Sequence, residues 1–148
     1  LLLAQAANNQ QGAANLVGRT VRFKGDEVHI AKEGVSGVNR LHLDEEAASV
    51  TVTVKDSSGK VVRTHKFGPL PKGGHAYEFD GLNNDGGMLD VGKYTLTVTA
   101  ADAKGKAVNA MTLRQGVVDA VTYTGGFPQL MVGDTTLNMS DVLEVRAS

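Results

Sequence analysis

The sequence predicts an all-β protein, and three observations carry that prediction. Residues 49–55 and 94–100 alternate apolar and hydroxyl side chains, which is the period of a half-buried strand. Turn-forming groups of Gly, Asp, Asn and Ser recur at short intervals along most of the chain. The composition, with 18 glycines, no tryptophan and 5% aromatic residues, suits short strands joined by tight turns. Aliphatic side chains must therefore fill the core.

Composition and charge exclude several classes of function. The 148 residues, 41% of them hydrophobic, suffice for one ordinary domain or two small ones. The formal net charge is −1 and the basic residues are scattered, so we expect no nucleic-acid partner. The lack of cysteine excludes disulfides, thiolate zinc sites and a cysteine nucleophile. No apolar run approaches the roughly 20 residues of a membrane-spanning helix, so we expect no membrane insertion.

Residues 1–15 predict a linker or a frayed helix. Ala and Gln favour a helix, but Asn8, Asn9 and Gly12 interrupt the segment, and it carries no charge. The chain opens on a run of leucines without Met and without the basic flank of a secretory signal. We expect a fragment of a longer protein whose targeting information lies elsewhere.

Two short strands follow, at 20–24 and 27–31. Both segments alternate apolar and polar side chains. The pair Gly25-Asp26 between them predicts a two-residue hairpin turn. A lone hairpin buries too little apolar surface to be stable, so these strands require partners elsewhere in the chain.

Residues 36–105 predict a β-sandwich. The segments 49–55 and 94–100 are its clearest strands, and a turn at 56–59 continues the first into a hairpin. A long loop rich in Asp, Asn and Gly spans residues 79–92. Strands of this length and spacing are typical of immunoglobulin-like or fibronectin-like sandwiches. The expected strands are centred near Asn39, Val52, Val62, Tyr77 and Leu96.

The final segment, residues 106–148, predicts several further short strands separated by glycines. The front hairpin lacks partners and the tail has strands to offer. The simplest arrangement is therefore a small barrel built from residues 16–35 and 106–148, with the sandwich of residues 36–105 inserted into it. One continuous, elongated β domain is the alternative.

No motif supports catalysis or a cofactor. Counted from Gly81, the long loop lacks a side-chain ligand at its first position, and Gly92 stands where a calcium loop needs its bidentate Glu. We expect instead a turn held by Asn and Asp hydrogen bonds. The histidines lack metal-binding spacing, and His29, His42 and His65 fall at strand positions that we expect to face solvent. We therefore predict no catalytic, cofactor-binding or metal-binding residues, and no enzyme.

Several stretches together resemble the bacterial flagellar hook capping family. In chain order they are Leu16-Val17-Gly18-Arg19-Thr20-Val21, Val50 to Thr64, Phe79-Asp80-Gly81, Gly92 to Ala100, Gly116 to Val121 and Leu137 to Val145. The resemblance covers about residues 16–146. Two positions depart from the family pattern, since Phe79 stands where tryptophan often precedes Asp-Gly and Val91 stands where proline often precedes glycine.

The resemblance implies both a fold and a function. The fold is a Tudor-like barrel interrupted by a fibronectin type III-like, Ig-like sandwich. The function is a scaffold that guides hook subunits into place at the growing tip of the flagellar hook. Its implied partners are the hook subunits and further copies of itself in a ring-shaped homo-oligomer. The resemblance also implies export through the flagellar type III pathway, with the export region in a missing N-terminal part.

A Tudor-like barrel raises the question of methylated ligands, which are held in aromatic cages. The two barrel segments offer only Phe23, Tyr123 and Phe127, and we expect two of these rings to lie in the core. We therefore predict no such reader function.

Exposed loop positions are the candidates for protein contacts. Met88 and Leu89 either form an apolar contact tip or fold back to cap the sandwich. A carbohydrate-binding module of an extracellular enzyme is the alternative function, although Tyr77, Tyr94 and Tyr123 fall at strand or inward positions rather than on an exposed platform. The candidate interaction residues are Leu70, Asn83, Asn84, Asp85, Met88 and Leu89.

Overall fold

The structure of the protein is a computed structural model, in which residues 10–147 are described. The protein consists of two compact units. The central unit is Gly25–Arg114, and the terminal unit combines the residues up to Lys24 with those from Gln115 onward. Within residues 10–147, the regular structure apart from one short α-helix and two turns of 3-10 helix is β-strand, so the all-β prediction is confirmed.

The elements have the following bounds. They are helix α1 (Gln10–Ala14) and strands β1 (Thr20–Lys24), β2 (Glu27–Ala31), β3 (Gly34–Gly37), β4 (Arg40–Leu43), β5 (Ser49–Lys55), β6 (Val61–Phe67), β7 (Gly73–Ala76), β8 (Gly92–Ala101), β9 (Ala107–Val108), β10 (Ala110–Val117), β11 (Ala120–Thr122), β12 (Gln129–Val132), β13 (Thr135–Asn138) and β14 (Val142–Arg146). The 3-10 turns are Thr124–Gly126 and Met139–Asp141.

In the central unit, antiparallel strands supply the buried side chains of one core. One sheet has the order β3-β2-β8-β5-β6, and strands β10, β4 and β7 lie side by side in another. Val50, Val52 and Val54 of β5 are at most 1% exposed, as the alternation predicted. Burying each such side chain stabilises the fold by about 1.5–3 kcal/mol. Residues from both sheets, such as Leu96 of β8 and Leu41 of β4, belong to the same buried cluster.

The predicted hairpin between residues 20–24 and 27–31 is wrong. Strand β2 pairs with β3 and β8, while β1 pairs with β14. Gly25 has no positive φ, which a two-residue hairpin turn of the favoured type would need. Instead, Gly25 exchanges hydrogen bonds with Thr112: its N–H donates to the Thr112 carbonyl at 3.1 Å, and the Thr112 hydroxyl donates to its carbonyl at 2.6 Å. The chain therefore passes from one sheet to another at this point.

Strands β2 and β3 belong to the central unit. Val28 of β2 is fully buried in the sandwich core. Gly37 of β3 has φ 118°, and a Cβ there would collide with the Glu27 carbonyl, so only glycine allows β3 to pair closely with β2. The boundaries of the central unit follow Lys24 and Arg114, whereas the sequence predicted boundaries near residues 35 and 106.

The terminal unit draws its core from both ends of the described chain. Strands β1 and β14 pair, and β11, β12 and β13 form a second small sheet. Phe23 and Leu130 are among its most buried side chains. Of the segment 1–15, predicted as a linker or a frayed helix, residues 1–9 lie outside the described part. Helix α1 occupies the described remainder, and its Ala13 is buried in this core together with Leu16.

Candidate functional site

The long loop, residues 79–92, is organised by Asn83. Its side-chain oxygen accepts the N–H groups of Asp85 and Gly87, both at 2.9 Å. Its backbone N–H donates to the Gly87 carbonyl at 2.8 Å. The prediction of a turn held by Asx hydrogen bonds is confirmed. The amide of Asn83 is therefore engaged within the loop.

Asn84 fastens the long loop to an edge strand. Strand β6 lies at the end of its sheet, where its outward backbone groups lack a neighbouring strand. The Asn84 side-chain oxygen accepts the N–H of Thr64 at 2.9 Å. It thus takes the place that the carbonyl of a pairing strand would occupy.

Arg63 makes the second attachment between β6 and the long loop. Its guanidinium donates to the carbonyls of Leu82 and Asn83, at 2.9 and 3.2 Å, and to both carboxylate oxygens of Asp80, at 3.2 and 3.3 Å. Only 17% of the Arg63 side chain is exposed. A planar fork held at four points fixes the loop backbone in one place.

His65 lies among aromatic rings, so the prediction that it faces solvent is wrong. Its Nδ1 is hydrogen-bonded to the Tyr77 hydroxyl at 2.7 Å, and its ring centroid is 6.0 Å from that of Phe67 and 6.3 Å from that of Phe79. Burial, reinforced by the positive charge of Arg63, lowers the pKa of His65, while Asp80 opposes the shift. Burial also raises the pKa of Tyr77 to about 12.

The inward orientation of His65 follows from strand pairing. His65 stands directly opposite Val52, which is fully buried, and opposite residues in a sheet project to the same face. This register is not the one that the turn at 56–59 alone would give, because it shifts along the hairpin: Lys55 stands opposite Val61, but Val54 stands opposite Arg63. Neither the turn nor the strand pattern of β6 carried this signal in the sequence.

Met88 and Leu89 have different environments. Met88 is 87% exposed, whereas Leu89 is half-buried and packs against the sandwich core. Adjacent residues of extended backbone point to opposite sides, which separates the two side chains. Leu70 also packs against the core, and its backbone exchanges two 3.0 Å hydrogen bonds with Ala47. Of these three apolar candidates, Met88 alone presents a largely exposed side chain.

A surface groove of about 440 Å³ lies beside Met88. We call its surroundings the loop surface, which comprises exposed Val61 and Met88 and the acidic residues Asp56, Asp85 and Asp90. Hydrogen bonds from the Ser58 hydroxyl and the Lys60 N–H lower the pKa of Asp56, which keeps it charged. The Tyr94 hydroxyl donates to the Asp90 carbonyl at 2.7 Å at the back of the groove.

The described residues contain neither a metal-binding cluster nor a membrane-spanning helix. Across residues 10–147, no three Asp, Glu, His or Cys side chains lie close enough together to hold a metal ion. No helix in the same part of the chain is long and apolar enough to cross a membrane.

Comparison with known proteins bears first on the central unit. The family profile described as the FlgD Ig-like domain matches residues 25–105, more than half of the chain, and the match begins where the central unit begins. This chain belongs to that family.

Relatives of this FlgD-family chain extend the similarity beyond the central unit. It is 31% identical over 116 residues to the basal-body rod modification protein FlgD of Salmonella typhimurium, and 31% identical over 115 residues to that of Escherichia coli K12. Each match covers 74% of this chain. It covers 50% of the Salmonella protein and 49% of the Escherichia protein, so the chain spans about half the length of these relatives.

Two solved FlgD structures have the same fold. The Pseudomonas aeruginosa protein superposes with a TM-score of 0.69 at 26% identity, covering 88% of this chain and 97% of that one. The Xanthomonas campestris protein superposes with a TM-score of 0.70 at 25% identity, covering 93% and 98%. The latter structure is described as giving insights into the hook capping essential for flagellar assembly.

In this FlgD-family chain, two exposed aromatic rings lie in the terminal unit. Phe127 is 76% exposed and Tyr123 is 42% exposed, while Phe23 is 1% exposed. The expectation that two of these three rings lie in the core is therefore wrong. Gly125 and Gly126, both with positive φ, place Phe127 on a turn, and this glycine pair was the sequence signal for its exposure. Tyr77 and Tyr94 are buried, as expected.

Proposed function

We propose that this chain is part of a flagellar hook cap, a non-enzymatic scaffold that guides hook subunits into place at the growing tip. The observation that carries the proposal is the combination of family membership with a fold shared over 93% of the chain with a protein described in terms of hook capping. Its partners are the hook subunits and further copies of the same protein, arranged in a ring. The whole protein reaches the hook tip through the flagellar type III export pathway.

The mechanism requires rigid units and reversible contacts. A cap must advance as each subunit inserts beneath it. Its contacts with the hook must therefore dissociate readily. The hydrogen-bonded long loop suits this role because Arg63 and Asn84 hold it in place before any partner arrives. A preformed surface lowers the entropy cost of binding. A small interface can therefore select its partner without binding it tightly. The candidate contact residues of the long loop, Asn83, Asn84, Asp85, Met88 and Leu89, serve this proposal as its framework and its exposed face.

The test is genetic. Deleting the gene of the full-length protein in its own bacterium should leave rods without hooks in electron micrographs, together with loss of motility. Supplying the intact gene in trans should restore both. Normal hooks in the deletion strain would contradict the proposed function.

A further inference from the structure

The loop surface combines exposed apolar side chains with unpaired negative charge. Met88 is 87% exposed and Val61 45%, and both line the groove. Exposed apolar groups that cluster around a groove mark contact sites more often than isolated ones do. Methionine is enriched at interfaces and adapts its shape to a partner.

The loop surface carries a net negative charge. The groove is lined by the carboxylates of Asp56, Asp85 and Asp90 and by one cation, Lys60. Within residues 10–147 none of these four side chains forms an ion pair, whereas neighbouring Asp80 is paired with Arg63 at 3.2 Å. The negative potential of the groove is therefore available to a partner.

The backbone beneath this surface is already ordered. Asn83 closes the turn that carries Asp85, and the carboxylate of Asp56 accepts the N–H groups of Ser58 and Lys60 at 2.9 and 3.0 Å. The apolar and acidic groups are thus held side by side without a partner, which is the condition for a specific contact of small area.

We propose that the loop surface docks a segment of the hook subunit that presents an aliphatic side chain flanked by Lys or Arg. This identification of the partner rests on the proposed function. The aliphatic group packs between Met88 and Val61, and the flanking cations face the carboxylates of Asp85 and Asp90. Because the charges lie at the rim, they accelerate association and select the partner more than they tighten the complex. Such a contact can be released each time a subunit is inserted.

The test uses the full-length protein and the purified hook subunit of the same bacterium, with affinity measured by calorimetry at low and high salt. The double variant Asp85→Lys/Asp90→Lys should bind at least about tenfold more weakly at low salt, and the difference should shrink at about 0.5 M salt as the charges are screened. The matched control Glu45→Lys/Glu46→Lys makes the same charge change at exposed residues outside the groove and should bind like the wild type. Met88→Asp should weaken binding at both salt concentrations, and Met88→Leu should retain it.

The remaining outcomes are distinguishable. Equal binding by wild type and all loop-surface variants would overturn the docking assignment and leave the proposed function standing. Failure of the wild type to bind the hook subunit, together with normal hooks in the deletion strain, would overturn both. If the loop-surface variants lost self-association in the ultracentrifuge but kept hook-subunit binding, the occupant would be a second copy of the protein and the proposal would be wrong.

Discussion

Protonation of the His65 side chain makes the stability of the fold depend on pH. In the folded protein its imidazole is partly buried and lies near the positive charge of Arg63, and both favour the neutral form. Its pKa is accordingly lower in the folded state than the ordinary value of 6.5. The unfolded chain therefore binds more protons than the folded one as the pH falls below about 6.5. The stability that neutral His65 contributes is complete above that pH and is lost progressively on acidification.

We expect His65→Gln to reduce the pH dependence of stability between pH 7.5 and pH 5. The free energy of unfolding, measured with urea at each pH, should fall for the wild type and fall less for the variant. The pKa of Asp56 is also lowered, but its ordinary value is 3.8, so its contribution is lost at more acidic pH and does not mask the effect. Identical pH profiles for the two proteins would contradict this account.

Met88 and Leu89 provide a second test at the level of single residues. Met88→Asn should change the free energy of unfolding by less than about 0.5 kcal/mol, because the side chain is in solvent. Leu89→Asn should cost about 1–3 kcal/mol, because it places an amide against the sandwich core. Thermal and urea unfolding of the two variants side by side measures the difference. Equal effects would show that the two residues share one environment.

At the level of elements, the long loop shields the edge of strand β6. Edge strands present unpaired N–H and carbonyl groups and tend to pair with other chains. Asn84 covers the N–H of Thr64, and Arg63 holds the loop backbone alongside the strand. The amide and carboxylate groups that the sequence presented as a candidate site thus have a structural task as well.

We expect Asn84→Ala to destabilise the central unit by about 1 kcal/mol, because it leaves the Thr64 N–H without its partner. The exchange of that amide proton should accelerate, and self-association should increase in size-exclusion chromatography as the edge becomes available. Asp85→Ala is the control, since the Asp85 carboxylate lies on the exposed side of the same turn. Unchanged exchange at Thr64 in Asn84→Ala would contradict the shielding role.

At the scale of the whole molecule, the two units differ in how they are encoded. The central unit is one continuous stretch, Gly25–Arg114, and its buried cluster contains residues of that stretch alone. The terminal unit joins residues that are far apart in sequence, such as Phe23 and Val142. Its core therefore cannot form until both ends of the chain are present.

A fragment of residues 25–114 should fold independently, because it contains its complete core. Circular dichroism should show β-structure, and urea unfolding should be a single cooperative transition. A fragment of residues 1–114 should unfold in the same way, with residues 20–24 unprotected against hydrogen exchange since their partner β14 is missing. Loss of cooperative unfolding in residues 25–114 would refute the independence of the central unit.

Much of the fold was predictable from local patterns. The alternation of Val50, Val52 and Val54 identified β5, and the turn residues around Asn83 identified the Asx-bonded loop. Several short strands were expected in residues 106–148, and β13 and β14 are two of those that occur there. These features depend on residues close together in sequence, where periodicity and turn chemistry act directly.

Contacts between distant residues settled the rest. The segment 27–31 reads equally well as a hairpin partner of β1, but it pairs with β8, where Val28 enters the sandwich core. The register of β6 on β5 turned His65 inward, and the packing of the long loop separated exposed Met88 from half-buried Leu89. An alternating pattern predicts that a strand has a buried face. Which sheet covers that face depends on the free energy of packing distant segments together, and a local pattern carries no information about that free energy.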